Sequence, residues 1–155
     1  MTRRFAALSF VIGLPVLAAL LIAPSVASAQ STLIGDIRIG TGWTPATAPG
    51  AQTGPVYMIL ASLGGAGDTL IEARSPIAER VNLRTTVRSD GVVRLVDVPL
   101  IDIAARGETV LEPGGFHVTL IGLTEQLVEG GEVPLTLIFE RAGSVEVTVT
   151  VGPSP

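Results

Sequence analysis

Few side chains in this 155-residue chain could do chemistry. It has one histidine, His117, set in the apolar stretch GGFHVTLIGL, and two methionines, Met1 and Met58. It has no cysteine and no lysine, so no thiol nucleophile, thiolate metal site or disulfide can form. A Ser-His-Asp triad would have to use His117, and no G-x-S-x-G elbow surrounds any serine. Neither a P-loop nor a dinucleotide fingerprint is present. Asp97 and Asp102 could form a carboxylate pair for acid–base work, but paired acids on a strand face are ordinarily solvated surface. One Trp, one Tyr and four Phe are too few for a carbohydrate-stacking cleft. The inventory therefore points away from an enzyme. It leaves two readings of His117: a strand histidine satisfied by one hydrogen bond, or a residue of a metal site. Met58, in VYMIL, reads as core filling.

The chain opens with MTRRFAALSFVIGLPVLAALLIAPSVASAQ, two arginines followed by no charge until Asp36. The apolar run closes on Ala27-Ser28-Ala29, the small-x-small pattern of a signal-peptidase site. The reading is a signal peptide over 1–29 with cleavage after Ala29, and a mature domain over 30–155. An uncleaved membrane anchor is the alternative, since the run is long enough to span a bilayer. Beyond the leader lie eight arginines and 14 acids, a net charge of −6. Nucleic acid and anionic lipid surfaces are therefore poor partners for the mature domain, which should be periplasmic or secreted. Without disulfides it must hold together by burial, which a domain of this length can do.

Short strands between turn signals fill the rest. SVEVTVTVG alternates Val145, Val147, Val149 and Val151 with Glu146, Thr148 and Thr150, the period of a half-buried strand. VPLTLIFER is its expected hairpin partner, with Ala142-Gly143 as the turn. In LIGDIRIGTGW the alternation sets Leu33, Ile37, Ile39 and Trp43 on one side. PVYMILASL, TLIEAR, ERVNLRTTV, GVVRLVDV and GGFHVTLIGL supply further strands, punctuated by Gly64-Gly65, Asp90-Gly91, Gly114-Gly115 and Gly130-Gly131. No window outside the leader has helical periodicity. Eight or nine strands at this spacing predict one antiparallel β-sandwich. Val145, Val147, Val149, Ile37, Ile39 and Trp43 should lie inside.

GWTPATAPGAQTGPVYMIL, SPIAERVNL, DGVVRLVDV, LEPGGFHVTLIGL and VPLTLIFERAGSVEVTV follow one another as in the PCu(A)C-type periplasmic copper chaperones. The resemblance runs from about Ile34 to Val151. It implies an exported, cupredoxin-like or immunoglobulin-like sandwich that binds Cu(I) and helps deliver it to a copper-accepting periplasmic protein such as cytochrome c oxidase. The family's site is a His, a Met after ten intervening residues, and a His-x-Met after 21 more. Soft thioether sulfur suits Cu(I), and imidazole accepts either oxidation state. On this chain the spacing falls on Arg84, Leu95, His117 and Thr119, so His117 alone matches the pattern. Leucine has no donor atom, a threonine hydroxyl is a hard, weak ligand, and a guanidinium repels a cation. The resemblance thus implies a copper-chaperone fold with a degenerate or weakened site. The other reading is a secreted module without metal, contacting a protein or small anion around Arg84 and His117.

Overall fold

Alternation is most regular at the C-terminal end, where two long strands form a hairpin. The computed structural model describes residues 31–153, so the proposed leader and its cleavage site lie outside the described residues. Thirteen strands follow one another: β1 (Thr32–Ile34), β2 (Ile37–Ile39), β3 (Gly42–Pro45), β4 (Thr53–Val56), β5 (Met58–Ser62), β6 (Asp68–Arg74), β7 (Ala78–Ser89), β8 (Val92–Asp97), β9 (Ile101–Ile103), β10 (Glu108–Leu111), β11 (His117–Leu123), β12 (Glu132–Phe139) and β13 (Gly143–Gly152). There is no helix among the described residues.

The strands pair into sheets of order β1-β2-β5-β10, β4-β11-β7-β8 and β3-β13-β12-β6-β9. The inner face of the five-stranded sheet, with Leu70, Leu135, Leu137, Phe139 and Val149, packs against Ile37, Ile39, Leu60, Val56, Val118 and Leu120 from the other two. All belong to one apolar cluster, so the chain is an all-β sandwich around a single core. Each such side chain taken fully from water contributes on the order of 1.5–3 kcal/mol. Met58 is buried among them.

Several expectations need correction. There are thirteen strands because two of the stretches read as single strands are broken and two short strands, β9 and β10, lie where none was read. LIGDIRIGTGW forms three, and PVYMILASL passes from one sheet to another at Tyr57. A turn at Gly35, with φ of 53°, reverses the chain, so Leu33 pairs with Arg38 and is exposed. Trp43 is 43% exposed rather than inside. β2 and β3 sit in different sheets, so the alternation that buries Ile37 and Ile39 does not carry through to β3, where Gly42 and Thr44 face inward. β3 also runs parallel to β13, the one parallel pairing among the described strands. Val145 is only partly buried, whereas Val147, Val149 and Val151 are core. The β12–β13 turn is Glu140-Arg141-Ala142, with Gly143 already paired to Phe139.

Candidate functional site

Turn chemistry sets the register of the sheet that carries the four positions. Asp90 and Gly91 both have positive φ, 52° and 78°, the conformation of a two-residue type I′ hairpin loop. That loop opposes Ser89 to Val92, and counting back opposes Thr86 to Leu95 and Arg84 to Asp97. On the other edge of β7, Arg84 opposes His117 and Asn82 opposes Thr119. Leu83, Val118 and Leu120 point into the core. Alternation therefore puts Asn82, Arg84, Thr86, Leu95, Asp97, His117 and Thr119 on the other face of the same sheet. Arg84 and His117 are direct cross-strand neighbours. Leu95 lies one strand over and two pairs nearer the hairpin tip, and it is exposed.

The turn Glu112-Pro113-Gly114-Gly115 brings the chain into β11, with Pro113 before a glycine of φ 81° as in a type II turn. Its Gly115 carbonyl accepts from His117 Nδ1 at 3.0 Å. A carbonyl only accepts, so Nδ1 carries a proton, and in the neutral ring Nε2 is the nitrogen with the free lone pair. His117 is buried, with the Tyr57 ring centroid 6.2 Å away. Trp43 packs in turn against Tyr57, the ring centroids 4.8 Å apart and the planes tilted by 46°. Burial pushes the Tyr57 phenol above its ordinary value.

Arg84 does not face His117 as a free cation. Its Nε donates to Asp97 Oδ1 at 2.5 Å, and Asn82 Nδ2 donates to Asp97 Oδ2 at 3.0 Å. The hydrogen bond and charge of Arg84 hold the Asp97 carboxyl below the usual aspartate range, with a smaller contribution from Asn82. Asp97 and Asp102 do not form a carboxylate pair. They lie on β8 and β9 of different sheets, and Asp102 accepts instead from Thr69.

Thr119 is buried and its Oγ1 has no hydrogen-bond partner. A hydroxyl so placed costs about 1–3 kcal/mol relative to a satisfied one. Thr119→Val keeps the shape and removes that cost. It should raise the unfolding free energy by about 1 kcal/mol, measured by urea denaturation, and a loss of stability would mean that the hydroxyl has a partner.

The donor set does not suit copper. Of the four positions one is an imidazole, one an aliphatic chain, one a cation already paired to a carboxylate, and one a hard oxygen. No group of three or more His, Cys, Asp or Glu side chains that could hold a metal ion occurs among the described residues. The spacing argument missed Asp97 as the partner of Arg84, and Tyr57 and Trp43 as neighbours of His117. A usable signal was present for the first, because an Asp-Gly hairpin loop at 90–91 pairs Arg84 with Asp97 by simple counting.

The fold is that of a PCuAC-type sandwich. It is similar to the copper-bound PCuAC domain from PmoF2, with TM-score 0.70 and 24% identity over 81% of this chain and 99% of that one. It is also similar to Cu(I)-bound DR1885 from Deinococcus radiodurans, at 30% identity, 81% and 83% coverage and TM-score 0.61. A putative lipoprotein of Leifsonia xyli subsp. xyli, Lxx21020, is 24% identical over 129 residues, 83% of this chain and 76% of the relative. Residues 37–151 match the family model described as putative lipoprotein LpqE-like, and the chain belongs to that family.

Proposed function

We propose that this protein is an exported, non-enzymatic member of the copper-chaperone class whose own copper site has been weakened to a single imidazole. Residues 1–29 would direct export, leaving residues 30–155 in the periplasm or secreted. Cu(I) would be held by His117 Nε2 only when a copper-accepting partner supplies further soft ligands. The observation that carries this reading is the pairing across β7: Arg84, bound to Asp97, stands directly opposite His117. A guanidinium there opposes a second positive charge, and one imidazole cannot replace two imidazoles and two thioethers.

Copper titration against the chelator bicinchoninate, under reducing conditions, tests the reading. The wild type should leave the copper with the chelator. The emission of Trp43, the chain's one tryptophan, should stay constant, although its ring lies one aromatic neighbour from His117. Tight binding that survives His117→Ala would overturn the reading and place a site elsewhere. The second reading, a secreted interaction module without metal, is favoured by the exposed apolar and cationic hairpin beside this face.

A further inference from the structure

β8 is the last strand of its sheet, and its outer edge is unpaired among the described residues. Natural edge strands are usually blunted by lysine, proline, a bulge or a covering segment. β8 has no lysine, proline, bulge or cover; its two charges are Arg94 and Asp97, the latter bound to Arg84. It pairs with β7 in unbroken register over six residues, and all six are exposed. The Val98 amide donates to the Leu83 carbonyl. By the alternation of an antiparallel ladder, the amides of Val96, Arg94 and Val92 also face β7. Those of Val93, Leu95 and Asp97 face outward, a row of open donors and acceptors.

The side chains around that edge are apolar and basic. Val93 and Leu95 are each 58% exposed on one face of the hairpin, and Val92, Val96 and Val87 are exposed on the other. Arg88 stands opposite Val93 and Arg94 opposite Val87, one arginine per face. Neither arginine has an ion-pair partner among the described residues. Residues 80–97 carry four of the mature domain's eight arginines and two of its 14 acids, a surplus of two positive charges. The remainder of that domain carries four arginines and 12 acids, a surplus of eight negative charges. A basic, apolar, open strand edge on an acidic protein selects for a partner of opposite sign. A second copy docked edge to edge would instead bring arginines of both hairpins together.

We propose that β8 is a docking edge for an extended acidic segment of another protein, which adds as a strand alongside Val92–Asp97. Its main chain pairs with the outward amides and carbonyls of β8. Its acidic side chains reach Arg88 on one face and Arg94 on the other, and its apolar side chains cover Val93, Leu95 and Val96. None of its contacts uses His117, although Leu95, one of the four positions that match the family's copper site, lies within it.

The test uses the mature protein, residues 30–155, labelled with 15N and kept copper-free by a chelator. Two capped heptapeptides serve as probes, one of sequence EEVVEEV, the other KKVVKKV, so that an added strand carries charged and apolar side chains on both faces. The glutamate peptide should shift the amide resonances of Val92–Asp97 and slow the exchange of Val93 and Leu95. It should bind at least about tenfold more tightly than the lysine peptide and weaken as salt is raised. Val93→Pro removes one outward donor without touching the β7 ladder and should abolish binding. Arg88→Glu combined with Arg94→Glu lies on the exposed surface and should reverse the peptide preference, which keeps the test decisive if the proline variant misfolds. Equal binding of both peptides, shifts that spare β8, or concentration-dependent self-association through β8 would each overturn the proposal.

Discussion

Replacing Arg84, Leu95 and Thr119 together, as Arg84→His, Leu95→Met and Thr119→Met, should turn a protein that ignores Cu(I) into one that binds it tightly. Register already places all four positions on one face of one sheet, with Arg84 opposite His117. The triple variant adds an imidazole and two thioethers and removes the opposing guanidinium. A gain on the order of 10⁴-fold or more over wild type is expected, about 5.5 kcal/mol or more at 1.4 kcal/mol per tenfold. Asp97 loses its arginine, but it is exposed, so the folded state loses little. Leu95→Met is on an exposed strand and costs little. Thr119→Met enlarges a buried side chain and should cost about 1–3 kcal/mol, so thermal unfolding must accompany the copper titration. Adding His117→Ala to the triple variant should weaken binding again. A folded triple variant that still ignores copper would show that these four positions do not form the family's site.

Asp68→Ala should destabilise the sandwich more than any surface change. The Asp68 carboxylate is buried at the start of β6 and accepts from the backbone amides of Thr69, Arg141 and Ala142 at 2.8, 2.9 and 2.8 Å. It clamps the β12–β13 turn to a strand more than 70 residues earlier in the chain. Removing it strands three amides, at a cost of roughly 3–5 kcal/mol. For a domain of this size that is a drop of more than about 10 °C in Tm.

Burial alone would raise the Asp68 carboxyl. The amides of Arg141, Thr69 and Ala142, with the nearby Arg141 charge, outweigh burial and hold it below the usual value of 3.8. Because the folded value is the lower one, this stabilisation is complete above the unfolded value. It is lost as pH falls through the folded value. Stability should therefore decline from about pH 4 downward. Asp68→Asn should be less stable at neutral pH and show a flatter acid dependence. A variant that retains the wild-type slope would assign the acid sensitivity to other carboxylates.

The strand content, the absence of helix among the described residues, the inward side of β13 at Val147 and Val149 and the core role of Met58 were legible from period-2 alternation and β-branched composition. These are local properties, and the core confirms them. The same alternation failed at Leu33 and Trp43, because a turn at Gly35 and a change of sheet after Ile39 each reset which side is inside. The first reset had a local signal, the two-residue Gly35-Asp36 loop between Ile34 and Ile37, whereas the change of sheet had none, since it depends on which strand becomes the neighbour. His117 was visible as the single imidazole, and its spacing from Arg84 and Leu95 was visible by counting. Its Nδ1 bond to Gly115 is made within its own turn and the Arg84–Asp97 pair follows from the Asp90-Gly91 hairpin, but its burial beside Tyr57 was decided by tertiary pairing. So was the role of Asp68, an ordinary surface-type residue in GAGDTL until the β12–β13 turn folds back onto it. Residue type sets which bonds a side chain can make, and the register of distant strands decides which of them it does make.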